Sequence, residues 1–206
     1  MSLLLTVAMV NLMGLMSPGP DFVVCLKNSL KYSRAAGVWT ALGFASGVLI
    51  HVTYCIFGLA LVISQSIVLF NVIKLLGAAY LIYIGVKAML STSNSKLEVN
   101  TKKSTHTLSA FNAWKSGFLT NILNPKATLF FLGVFSVVIP PETSATLYAL
   151  VALLIFSMTF VWFSLVATVM TLPAIRQKFL RIENTFDKVF GGVLILLGLK
   201  VATAKL

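Results

Sequence analysis

Charge is scarce in this chain, and acidic charge scarcest of all. Five Asp and Glu stand against 16 Lys and Arg in 206 residues, and only 10% of the residues are charged, where a soluble domain carries about 25%. That excludes a soluble domain of any size. The net charge of +11 would suggest nucleic-acid binding in a soluble protein, but here the basic residues lie mostly between apolar blocks, so no nucleic-acid partner is expected. Cysteine is nearly missing as well. Cys25 and Cys55 fit neither a CxxC redox pair nor a zinc-ligand spacing and read as buried free thiols. No HExxH, GxSxG, Walker or GxGxxG pattern occurs in its required context. Neither enzyme chemistry, nor a cofactor, nor a resident metal is expected.

What the chain has instead is apolar length. Of its residues 58% are hydrophobic, with a mean hydropathy of +0.97. Apolar blocks fall at about 3–24, 37–64, 67–90, 112–139, 145–172 and 188–204. A bilayer crossing takes about 20 residues, and a lipid-facing span must satisfy its own backbone, so each block is read as a helix. The opening run has no basic residue before it and no small-residue cleavage site, and reads as a retained first span. Residues 1–206 form one integral membrane domain in this reading. Residues 91–110, rich in Ser, Thr and Lys, are a solvated linker between a first half of about 1–90 and a second of about 111–206.

Orientation follows from the basic residues. Lys27, Lys31 and Arg34 fall after the first block; Lys96, Lys102, Lys103 and Lys115 between the third and fourth; Arg176, Lys178, Arg181 and Lys188 before the sixth. The intervening SQS and PPETS connections have none. The positive-inside rule then makes the odd loops cytoplasmic and puts both termini outside, with Lys200 and Lys205 against the trend.

The two halves resemble each other. KLLGAAYLIYIGVK, starting at Lys74, compares with KVFGGVLILLGLK, starting at Lys188. Each half also opens with a block broken by proline, at Ser17-Pro18-Gly19-Pro20-Asp21-Phe22 and at Asn124-Pro125-Lys126. Proline lacks the N–H and clashes with the preceding turn, so both helical ladders should end there. Three crossings per half invert one half relative to the other. Matching breaks in inverted halves point to a transporter's binding site. The expected fold is an all-α membrane protein of six transmembrane helices in two inverted three-helix repeats, with helices 1 and 4 broken.

Several polar residues near the breaks could carry chemistry. Asp21 is the only acidic residue near an apolar block of the first half; it could meet a substrate ammonium group or carry a proton, or could cap the following helix. Lys126, with the helix start after Pro125, could meet a carboxylate, or could snorkel to the interface. Gly117, Asn121 and Asn124 share a helix face and could serve substrate or helix–helix hydrogen bonds. Gly43, Gly47, His51 and Gly58 share another, the glycines for close packing and His51 as a satisfied buried histidine or a proton-relay member. Ser157, Ser164, Thr168 and Thr171 make a polar stripe best read as bonding back to its own helix.

The SPGPDF stretch, Leu119-Thr120-Asn121 leading into Asn124-Pro125-Lys126-Ala127, and the Gly-rich closing span resemble the bacterial LysE/RhtB amino-acid exporter family, and most closely its threonine and homoserine efflux branch. The resemblance covers essentially the whole chain. It implies a six-span inner-membrane protein that expels small amino acids using the proton motive force. It carries the family's motif onto Pro18, Gly19, Pro20, Asn121, Asn124, Pro125 and Lys126. The expected partners are thus an amino-acid substrate, protons and the lipid bilayer, with homodimerisation through the glycine faces left open. Rival readings are a divalent-metal exporter using Cys25, His51 and Cys55, a thiol–disulfide electron carrier using the two cysteines, and a structural membrane protein.

Overall fold

The computed structural model describes residues 3–17, 19–90, 107–140 and 143–203. Pro18 and most of the linker, residues 91–106, lie outside them. Among the described residues every regular element is helical: α1 (Leu3–Met16), α2 (Pro20–Lys31), α3 (Arg34–Gln65), α4 (Ile67–Leu90), α5 (Ala110–Ile122), α6 (Pro125–Val138), α7 (Ala145–Val169) and α8 (Pro173–Thr203).

The breaks fall where the prolines stand. Pro20 and Pro125 occupy the first turns of α2 and α6, where a missing N–H costs nothing. Gly19, in extended conformation, precedes α2. Asn124 caps α6, its side chain accepting the Lys126 N–H at 3.0 Å. The helices on either side of each break are bent by 61° for α1 and α2 and by 57° for α5 and α6. Ser144 caps α7 by accepting the Leu147 N–H at 3.3 Å. Ser144→Ala is expected to lower stability by about 1 kcal/mol, read as the unfolding free energy in mixed micelles; an unchanged value would mean the cap contributes nothing.

Helix bounds and apolar blocks differ at three places. Lys27 and Lys31 sit on α2, not in a loop, α3 starts already at Arg34, and α8 starts at Pro173, so Arg176, Lys178 and Arg181 are helical. Hydropathy measures how much of a helix suits lipid, whereas the helix itself continues through polar residues until a breaker stops it. Two helical stretches, Arg34–Gly58 and Ala145–Val169, are each long and apolar enough to cross a bilayer, and the two bent pairs pass when each is taken as one span. Large apolar side chains such as Phe57, Leu76, Leu90, Phe111 and Leu153 point outward, as a lipid-facing surface requires.

The order of a broken pair followed by two long helices occurs twice. α3 is the centre, packed on α2, α5, α6 and α7, while α4 lies along α8. Glycine sets the closest approaches. A Cβ on Gly43 would run into the backbone of Trp114 and Phe118, and one on Gly117 into the Thr40 carbonyl. A Cβ on Gly85 would lie 2.6 Å from the Gly191 carbonyl oxygen, and one on Gly198 2.8 Å from that of Ala78. Moving back along α4 from Gly85 to Ala78 moves forward along α8 from Gly191 to Gly198, so the two run antiparallel. These four glycines make their close contacts inside one chain.

Two apolar clusters form the interior. The larger includes Val7, Val48, Leu81, Phe130, Phe131, Phe135, Ile155, Phe190 and Leu194; the smaller includes Phe22, Leu26, Phe44, Phe163 and Val166. A cavity with a few polar and charged side chains in a mainly apolar wall lies at their seam.

Candidate functional site

The cavity, of about 70 Å³, is lined at its polar parts by Asn11, Ser17, Asp21, Asn121, Asn124, Lys126 and Thr159, and walled by Phe22, Phe130, Phe131, Phe163 and Phe190. That exceeds several-fold the roughly 10–15 Å³ one water requires. Both helix breaks open onto it. Gly19 borders it too, and a Cβ there would meet the Lys126 side chain at 3.5 Å, an ordinary contact. Pro20 and Pro125 start their helices from exposed positions and do not line the cavity.

Asp21 stands in the first turn of α2, where the helix dipole favours a negative charge, yet its carboxylate reaches across to the other break. Oδ2 accepts from Asn121 Nδ2 at 2.7 Å and Oδ1 from Asn124 Nδ2 at 3.0 Å. Both amides are buried. Both amides of the Asn121 and Asn124 face thus hold the carboxylate of the opposite half. Lys126 makes the reciprocal crossing. Its Nζ donates to the Ser17 carbonyl at 3.0 Å and to Ser17 Oγ at 2.8 Å and sits 5.1 Å from the centre of the Phe190 ring. It does not snorkel outward. Ser17 Oγ in turn donates to Asp187 Oδ1 at 3.1 Å.

His51 lies one layer behind the cavity, buried on α3. Its Nε2 is 3.0 Å from the Asn121 carbonyl and its Nδ1 2.6 Å from the Tyr54 hydroxyl, with Phe131 stacked on the ring. A carbonyl only accepts, so Nε2 holds a proton, and the Tyr54 hydroxyl beside Nδ1 also lies 3.5 Å from the Thr128 carbonyl, to which it can donate. Of the Ser and Thr stripe, Thr168 Oγ1 donates to the Ser164 carbonyl at 2.9 Å and Thr171 Oγ1, just past α7, to that of Thr168 at 2.6 Å, while Ser164 Oγ has no hydrogen-bond partner.

Sequence reasoning missed Asp187, Asn11, Thr159 and the role of Ser17. Asp187 had a visible signal, a carboxylate directly before the sixth apolar block, and Asn11 is the only amide in the opening run. Thr159 had none, being one hydroxyl among many. The cysteines do not support the rival readings. Cys25 belongs to the smaller cluster and Cys55 to the larger, both are free, and among the described residues no three His, Cys, Asp or Glu side chains gather as a metal would need.

An apolar, multi-pass helical bundle whose two broken helices enclose a polar, charge-bearing cavity belongs to the class of membrane transport proteins. The chain belongs to the LysE family: the family model described as LysE type translocator matches residues 12–205. It is similar to the threonine efflux protein of Escherichia coli (strain K12), 31% identical over 192 residues that cover 93% of each chain. It is likewise similar to the threonine efflux protein of Salmonella typhimurium, at 30% identity over 94% of each chain. The leucine efflux protein of Salmonella choleraesuis is 35% identical over 119 residues, 57% of this chain and 54% of its own. No solved structure matches significantly.

Proposed function

We propose that the protein is a secondary active exporter of small amino acids of the threonine and homoserine kind, coupled to protons, in a bacterial inner membrane. The observation that carries this reading is a carboxylate and an ammonium group, Asp21 and Lys126, lining one cavity. A zwitterion needs one of each, and the amino-acid efflux relatives supply the context. The substrate's ammonium end faces Asp21. Its carboxylate takes the Lys126 Nζ from Ser17. Asn124 already accepts the Lys126 N–H, so the helix start after Pro125 contributes less than the lysine side chain does.

The bundle works as six spans in two inverted halves. The repeated element order and the reciprocal glycine contacts of α4 and α8 support this, since inverted copies place their matching last helices antiparallel. Both termini face outward, and rocking of one half against the other carries the site from cytoplasm to exterior. Asp21, in the cavity, and His51, one layer behind it, are the ionisable groups we assign to proton carriage.

Labelled threonine in proteoliposomes tests the reading. Uptake is expected to follow an imposed pH gradient and to persist as counterflow without one. A folded protein that moves neither threonine, homoserine nor other small neutral amino acids would end it.

A further inference from the structure

Hydroxyl groups inside the helices of this bundle follow one habit. Ser29, Thr40, Ser46, Thr53 and Thr120 each donate to the carbonyl four residues earlier, at 2.7 to 2.8 Å, as Ser and Thr in apolar helices normally do. Thr159 breaks it. Its side chain is 1% exposed, yet Oγ1 has no hydrogen-bond partner. Ser164 shares that state, but only Thr159 lines the cavity. A buried hydroxyl without a partner is costly, and one facing a cavity can be satisfied by what enters it.

The surroundings say what that is. Asn11 also lines the cavity, its Nδ2 3.9 Å from the sulfur of Met158, the residue before Thr159. On α1, Asn11 lies six residues before Ser17, about 9 Å along the helix, and Ser17 holds Lys126 at the charged end. The cavity wall thus carries charged residues at the two breaks and, besides them, the neutral polar side chains of Asn11 and Thr159, with phenyl rings prominent among the apolar walls. We propose that Thr159 reads the side-chain hydroxyl of the substrate, which makes the site selective for hydroxylated small amino acids over their aliphatic counterparts. This inference rests on the amino-acid export reading and assigns one specificity-determining residue within it.

The pair threonine and 2-aminobutyrate differs by that hydroxyl, so the ratio of their competition constants against labelled threonine isolates it. The wild type is expected to prefer threonine by about 10-fold, the scale of one well-made hydrogen bond. Thr159→Val keeps the shape and removes the hydroxyl; it should weaken threonine, spare 2-aminobutyrate and bring the ratio near one. Thr159→Ser should restore the preference, which a role in packing alone would not do. An unchanged ratio in Thr159→Val, a parallel loss for both compounds, or a wild type that does not discriminate would each overturn the inference while leaving amino-acid export standing. A wild type that transports no amino acid would remove the export reading and this inference with it.

Discussion

Asp21→Asn is expected to reduce proton-driven threonine transport at least about 10-fold, because a hydrogen bond to a charged group contributes roughly 1.5–3 kcal/mol and this carboxylate is the substrate's proposed ammonium partner. The replacement is isosteric. It keeps an oxygen for one of the two amides that now donate to Asp21 but turns an NH2 group toward the other, so a modest local rearrangement is expected and unfolding is not. The variant separates two roles. If both counterflow and pH-driven uptake fail, the carboxylate binds substrate. If counterflow survives and only pH-driven uptake fails, Asp21 carries the proton. Wild-type rates in both assays would remove Asp21 from the mechanism, and Asp21→Glu, which retains the charge on a longer stem, should fall between the extremes.

Gly117→Ala should be among the most destabilising single substitutions in the protein, although it adds only one methyl group. The new Cβ would overlap the Thr40 carbonyl on α3, and backbone on both sides leaves no flexible side chain to yield. Overpacking of this kind costs about 1–3 kcal/mol. Moving α5 away from α3 to relieve it would also shift Asn121, and with it the grip on Asp21. Gly192→Ala provides the comparison: nothing lies within 4 Å of a Cβ there, and Ala improves on Gly in a helix by about 1 kcal/mol. The apparent melting temperature in detergent should drop for the first and hold or rise for the second. Equal temperatures for the two variants would show that α3 and α5 are not locked by Gly117.

The break positions were legible because proline acts locally. A missing N–H at Pro20 or Pro125 interrupts its own helix whatever surrounds it, and the structure has helices beginning at both. Asp21 and Lys126 were legible as charges in apolar surroundings, which are costly unless partnered. Their partners were not. The sequence invites a pairing of each with solvent or substrate, and the folded chain gives Asp21 two amides and Lys126 a serine. Asp187 escaped notice because the stretch before the sixth block is polar and reads as a loop, whereas α8 carries it as helix and turns this one carboxylate inward to Ser17.

By itself the sequence determined that this chain lives in a membrane, that it is helical, that two of its helices are interrupted, and which few ionisable groups lie at the interruptions. Each of these depends on composition or on neighbours within about one helical turn, so no knowledge of packing is needed. Only the tertiary structure decided that the two interruptions share a cavity, that Asn121 and Asn124 reach a carboxylate 100 and 103 residues away, and that Thr159 alone among the cavity's hydroxyls is left without a partner. Part of that packing depends on Gly43 and Gly117, which let the backbones of α3 and α5 touch and so help to place Asn121. How closely two helices approach depends on both of their surfaces at once, and a single stretch of sequence describes only one of them.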